Sequence, residues 1–182
     1  MAKTKATKEA PKKTKEPVKA SKKMEEVEIE EKKNSAPAPK SKKGSSDLIE
    51  ALDRILEAEL SGVVRYLHYS FMIFGPNRIP ITKWFRDHAM EGIQHAVTIG
   101  EKITAMGGHP SVKVQPVPET NKHNVMEILK ESLEFEREGL RLYHDLLEKV
   151  GGDVALEEMV RGLILDETTH IEDVEKMTRA LK

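Results

Sequence analysis

The chain has 182 residues, 4 % of them aromatic and 34 % charged, with no cysteine and a formal net charge of −1. That length suits one ordinary domain with a tail, and that composition suits helices better than sheets. The missing thiols exclude disulfides, iron–sulfur clusters and thiolate metal sites, and they fit a reducing compartment. No apolar run is long enough to cross a bilayer and no signal-peptide segment opens the chain, so no membrane contact and a cytoplasmic location are expected.

The charge is unevenly placed. Residues 1–46 hold 14 Lys and 7 Glu, net +7, which leaves −8 on residues 47–182. The first stretch is built from Lys, Ala, Glu, Pro, Thr and Ser without an aromatic residue, so it cannot form a core and is expected to be a disordered tail. One reading makes it a solubilising spacer. The other makes it a lysine-rich arm that holds DNA through phosphates without reading sequence, which would place the protein with the nucleoid. The Glu cluster between Glu25 and Glu31 weighs against the arm.

Residues 47–182 read as one folded domain of four amphipathic helices. Ser45-Ser46-Asp47 is the expected N-cap of the first, which runs from about Leu48 to Phe74 and stops at Gly75-Pro76. The second starts near Pro80 and ends at Gly107-Gly108. A stretch with three prolines, HPSVKVQPVPETNKH, follows and reads as extended. The third helix spans about Asn124 to Val150, and the fourth begins after Asp153 and continues almost to Lys182. Helices of matched length bury their stripes against one another as a four-helix bundle. The short first and third links make antiparallel hairpins, and the long middle link is a crossover along the bundle. This all-α arrangement is the ferritin-like topology.

Each apolar stripe is interrupted by polar groups. Helix one carries Glu59 between Leu56 and Val63, with Tyr66 seven residues after the Glu. Helix three repeats this with Glu136 and Tyr143. Helix two brings His88, Glu91 and His95 into its stripe, and helix four brings Glu167 and His170. A buried carboxylate without a partner costs several kcal/mol. Glu167 and His170 alone fit a local polar pair as well as a ligand pair. Four interruptions in four stripes fit a di-metal carboxylate site, with one Glu from each of two helices and a Glu/His pair from each of the others. Four carboxylates offset the charge of two divalent ions, and a mixed oxygen and nitrogen shell suits iron or manganese.

The segments EAELSGVVRYLHYSFM, IQHA, EFEREGL and DETTHIEDVE resemble those of the bacterioferritins, within the wider ferritin-like superfamily. The resemblance covers residues 47–182 and none of the tail. It implies two iron ions held by Glu59, His95, Glu136, Glu167 and His170, with Tyr66 as the tyrosine beside the centre. The family's helix-two carboxylate lies three residues before the His, where this chain has Gly92, and Glu91 is the nearest substitute. The two spacings share a helix face, so Glu91 is taken as the sixth ligand. Ile93 stands where the family's haem-binding Met would be, so haem is not expected. The chain has no room for the family's fifth helix, so a dimer or a smaller shell is as much expected as a cage. The activity implied is oxidation of Fe(II) by dioxygen or peroxide for iron storage or detoxification. The alternatives are a DNA-binding protectant acting through the tail, and a di-metal oxidase or peroxidase that stores nothing. His68, His109, His123 and His144 are expected at the surface or behind the ligands, and Trp84 in the core or a dimer contact.

Overall fold

The computed structural model describes residues 42–179. The tail expectations, disorder and a DNA-holding arm, fall almost wholly outside the described residues. Four helices follow in order, α1 Lys42–Met72, α2 Arg78–Ala105, α3 Val125–Lys149 and α4 Val154–Thr178. They are 31, 28, 25 and 25 residues long, or about 37–46 Å at 1.5 Å per residue. α1 packs on α2, α3 on α4, and the two hairpins meet through α1 and α3. This is the four-helix bundle expected from the sequence. Among the described residues no helix is long and apolar enough to cross a membrane.

The helix ends follow local chemistry with two exceptions. Asn124 caps α3 by accepting from the backbone N–H groups of Met126 and Glu127, and Asp153 caps α4 by accepting from Leu156. α2 closes with Gly107 at φ 79°, while the Gly108 N–H bonds back to the Ile103 carbonyl at 2.9 Å. A Cβ on Gly108 would stand 2.8 Å from Ile103 Cγ2, so this return of the chain needs glycine. The exceptions are the start of α2, where Asn77 makes no side-chain capping bond, and the start of α1. Ser45, Ser46 and Asp47 lie inside the helix, which begins at Lys42. Leu48 is the first fully buried side chain of α1. The turn before it contributes nothing to the core and so leaves no mark on the apolar pattern.

The crossover, residues 106–124, has neither helix nor strand. It is tied to the bundle along its length. The Ser111 N–H donates to Asp53 at 2.8 Å and its hydroxyl to Glu57 at 2.6 Å. Further on, Val117 and Pro118 border Val64 and His68 of α1. Near its end, Thr120 and Lys122 both reach Glu131 of α3, at 3.0 and 2.7 Å.

The core has two clusters. One is aliphatic, with Leu52, Ile55, Ile99, Ile103, Leu146, Leu156 and Val160, and holds one aromatic ring, Tyr143. The other is rich in rings, with Tyr66, Tyr69 and Phe85, and Trp84 and Phe135 packed on it. On each helix the buried members of the two clusters are separated by about two to four turns, and the polar interruptions sit in that gap.

Candidate metal centre

Position along each helix decides what enters the gap. On α1 Glu59 lies between Leu56 and Tyr66, and on α2 His95 follows Ala89 and precedes Ile99. Glu136 on α3 lies between Leu133 and Tyr143, and Glu167 on α4 between Leu163 and Val174. Glu136, Glu167 and His95 are only 4, 5 and 7 % exposed. They surround a cavity of about 30 Å³ that Glu59, His170, Gly62, Gly92 and Gly139 also line. That volume holds a water or two, or small ions between ligands.

Two groups of ligand atoms share this space. Glu59, His95 and Glu167 form one, and Glu136, Glu167 and His170 form the other, each with its atoms within 4.8 Å of one another. Glu167 belongs to both. Its Oε1 is 3.1 Å from His95 Nδ1 and its Oε2 is 3.8 Å from His170 Nδ1. One carboxylate therefore faces both imidazoles, as a bridge between two ions would. His95 Nδ1 is also 3.7 Å from Glu59 Oε1, yet among the described residues it has no aligned hydrogen bond. A buried imidazole nitrogen between two carboxylates without a directed bond to either suits a cation placed among them. The donor set, three carboxylates and two imidazoles, suits a divalent cation such as iron or manganese.

The electrostatics agree. Burial raises the Glu136 carboxyl well above the usual range, and the Glu167 charge adds to it. Burial also raises Glu59, with His95 working against it. On Glu167 burial acts the same way, but polar contacts from His170, His95 and Glu136 reverse it and hold that carboxyl low. Burial would lower His95, but Glu167 and Glu59 outweigh it and raise the ring to about 10. His170 is likewise raised against its burial, by Glu167. Protons on these groups answer the same negative charge that two cations would, so protons and cations compete for the site.

The sequence-expected residues divide here. Glu59, His95, Glu136, Glu167 and His170 meet around the cavity. Glu91 does not join them. Its side chain is 52 % exposed and lies on the outer side of His170, with Oε2 3.2 Å from His170 Nε2. The inward-facing position on that turn of α2 is Gly92, where a Cβ would stand 3.5 Å from Glu59 Oε2. Each of the two groups still brings together one Glu, one His and Glu167. Tyr66 lines the cavity, and its hydroxyl has no hydrogen-bond partner among the described residues. The tyrosine bonded to a candidate ligand is Tyr143, which donates to Glu59 Oε1 at 2.5 Å. Its own proton is held tightly, first by burial and then by the Glu59 charge. Asp166 was not legible as part of the site, but its Oδ2 is 3.7 Å from His95 Nε2. The available signal was symmetry, since Asp166 precedes Glu167 just as Glu91 precedes Gly92.

A four-helix bundle with a crossover between its hairpins, holding a buried carboxylate and imidazole cluster at mid-length, defines the ferritin-like class of protein. The model of the ferritin-like domain matches residues 49–182. The chain belongs to that family. It is 26 % identical over 136 residues to a bacterioferritin of Rhodobacter capsulatus, across 73 % of this chain and 83 % of the relative. A ferritin-like diiron-carboxylate protein of Bacillus anthracis str. Ames superposes with a TM-score of 0.71 at 25 % identity, over 75 % of this chain and 98 % of that one. The Rhodobacter capsulatus bacterioferritin structure, described with a metal-free dinuclear site and haem iron, gives a TM-score of 0.65 at 24 % identity over 73 % and 84 % of the two chains.

Proposed function

We propose that this chain is a di-iron ferroxidase. It takes two Fe(II) as substrate at the positions defined by Glu59, His95 and Glu167 and by Glu136, Glu167 and His170. The observation that carries the proposal is the sharing of Glu167 between two three-residue groups. Two ions held against one carboxylate can each give one electron to the same acceptor. With dioxygen, two Fe(II), one O₂ and two protons give two Fe(III) and one hydrogen peroxide. With peroxide as acceptor, two Fe(II), one H₂O₂ and two protons give two Fe(III) and two waters.

The protein's part is to bind, to orient and to move protons. Loading the site displaces protons from the carboxyl groups of Glu59 and Glu136, which burial raises, and from His95 and His170, which Glu167 raises. Tyr143 fixes the rotamer of Glu59 through its 2.5 Å hydrogen bond. Apolar packing above and below the cavity keeps bulk water from the reacting ions.

Self-association belongs to the same proposal. Val64, Leu67 and Phe71 of α1 and Met90 and Val97 of α2 are exposed apolar side chains, and patches of this kind mark interfaces. A ferritin-like relative of Bacteroides fragilis, 20 % identical, is described as dodecameric. Fe(II) added to the protein in air should be oxidised in a fast phase that saturates near two per chain. Oxidation no faster than in buffer, with no break near that ratio, would sink the proposal.

A further inference from the structure

We infer that Arg78 and Arg86, on one face of α2, form a binding site for a phosphate group. The site shares no residue with the candidate metal centre, and it does not depend on the ferroxidase reading.

Arg78, Thr82 and Arg86 follow one another at intervals of four, so they share a face of α2. With Ile79, Lys83 and Asp87 they line an open pocket of about 450 Å³. Each arginine is held by one nitrogen. Arg78 donates from Nη1 to the Ile73 carbonyl. Arg86 donates from Nε to the Ser70 hydroxyl at 3.3 Å. Ser70 is fully buried and donates onward to the Leu67 carbonyl at 2.8 Å, so its oxygen is fixed with a lone pair free for Arg86. Thr82, also buried, donates to the Ser70 carbonyl at 3.4 Å and ties the same turn of α1 to α2. These anchors are all neutral. They restrict both arginines before anything binds, which lowers the ordering cost of binding. They also leave the remaining N–H groups of each guanidinium for a ligand.

The charge of this pocket is unanswered. Arg54, Arg137, Arg141 and Arg161 each pair with a glutamate. Arg78 and Arg86 have no carboxylate partner among the described residues. Carboxylates are not scarce, because residues 47–182 carry a net charge of −8. Within the pocket Lys83 and Asp87 pair with each other and cancel, which leaves two positive charges. A guanidinium is a planar fork of donors that matches a pair of phosphate oxygens. A phosphate group carries about −1.5 to −2 near pH 7, so it answers both the charge and the donors. A single carboxylate would answer one arginine and leave the other. The free ion and the phosphoryl end of a monoester share this chemistry.

Inorganic phosphate is the probe, titrated by calorimetry into the full-length protein in chloride buffer at fixed ionic strength. Arg78→Gln, Arg86→Gln and Arg86→Lys are titrated beside it. The lysines of residues 1–46 are present in every variant, so the difference between variants reports on the pocket. Sulfate should compete with phosphate, and chloride should not. Each Gln variant should bind phosphate about tenfold or more weakly than wild type. Arg86→Lys keeps the charge and loses the fork, so it should also bind more weakly. Glycerol phosphate, titrated in parallel, separates the two sources: the tighter binder of the two is the ligand, and binding of either supports the site. No binding of either, or equal affinity in wild type and the Gln variants, overturns the inference. Full affinity in Arg86→Lys overturns it as well, because the attraction would then be charge without recognition. So does a change of oligomeric mass in the Gln variants at unchanged phosphate affinity, which would assign the two charges to carboxylates of a second copy. The titration needs no iron, so its outcome stands whether or not the chain oxidises Fe(II).

Discussion

Helices α2 and α4 present the same arrangement with one residue changed. On α4, Glu167 faces the cavity, His170 follows three residues later, and Asp166 precedes the Glu. On α2, Gly92 faces the cavity, His95 follows three residues later, and Glu91 precedes the Gly. The outer carboxylates cross over. Asp166 approaches the imidazole of α2 at 3.7 Å, and Glu91 that of α4 at 3.2 Å. The register of the two helices is thus alike at this level while the residue types are not. Helix packing fixes where a slot lies, and the residue at that slot fixes what it does. Two such slots face each other, and only the one on α4 holds a carboxylate.

Emptying the filled slot should have the largest effect. Glu167→Ala leaves each position with one Glu and one His and nothing in common between them. Rapid aerobic Fe(II) oxidation is expected to fall to the rate in buffer, with the helical circular dichroism retained. A variant that still oxidises Fe(II) at the wild-type rate would remove Glu167 from the mechanism.

Filling the empty slot sharpens the comparison from the other side. A Cβ at residue 92 stands 3.5 Å from Glu59 Oε2 and 3.3 Å from Val63 Cγ2, so a longer side chain there points among the ligands. In Gly92→Glu a fourth carboxylate joins three buried ones, which costs several kcal/mol without cations. Two divalent ions would offset that charge. The metal-free variant should therefore melt lower than wild type, and Zn(II) should raise its melting temperature by more than it raises that of wild type. An equal Zn(II) response in both proteins would show that position 92 does not reach the ions.

Most of this was legible in the sequence, for a physical reason. Helix period and apolar patterning report burial, so Glu59, His95, Glu136, Glu167 and His170 stood out as polar groups at core positions, and all five meet at the cavity. Glu91 was harder. Its spacing of four from His95 and the alternative spacing of three both lie on one helix face, and only the roll of α2 against α4 decides which side turns inward. Asp166 and the Tyr143 hydrogen bond depend on contacts between helices that no single stripe encodes. The start of α1 was missed because Gly44, Ser45, Ser46 and Asp47 are not part of the core.

The proton load of the buried cluster gives a pH test. His95 is raised from about 6.5 to about 10 in the folded chain. A group raised in this way contributes stability that is fully present below the unfolded value and is lost as pH rises through the folded one. Glu59 and Glu136 are also raised, so they too cost stability as pH climbs above the ordinary carboxyl range. Glu167 is held low and acts oppositely, losing its contribution as pH falls below that range. Protein stripped of metal should therefore lose melting temperature between pH 7 and 10. The Zn(II) form should hold its melting temperature across that window, because its ligands are already deprotonated. Parallel curves with and without Zn(II) would count against a metal at these residues.

The smallest expected effect belongs to Gly92→Ala, which places a methyl group in the empty slot without adding charge. A glycine inside a helix costs about 1 kcal/mol relative to alanine, so the substitution starts with a gain. Against this stands the 3.3 Å approach to Val63 Cγ2, closer than ordinary contact. That atom is the end of a side chain on a partly solvated helix face, and it can shift by a few tenths of an ångström. The net change should be a stabilisation of less than about 1 kcal/mol, read as a shift of the denaturant midpoint at constant slope. A loss of more than that would mean that the two helices approach too closely at this level for any Cβ. The absent carboxylate would then follow from packing rather than from the chemistry of the ions.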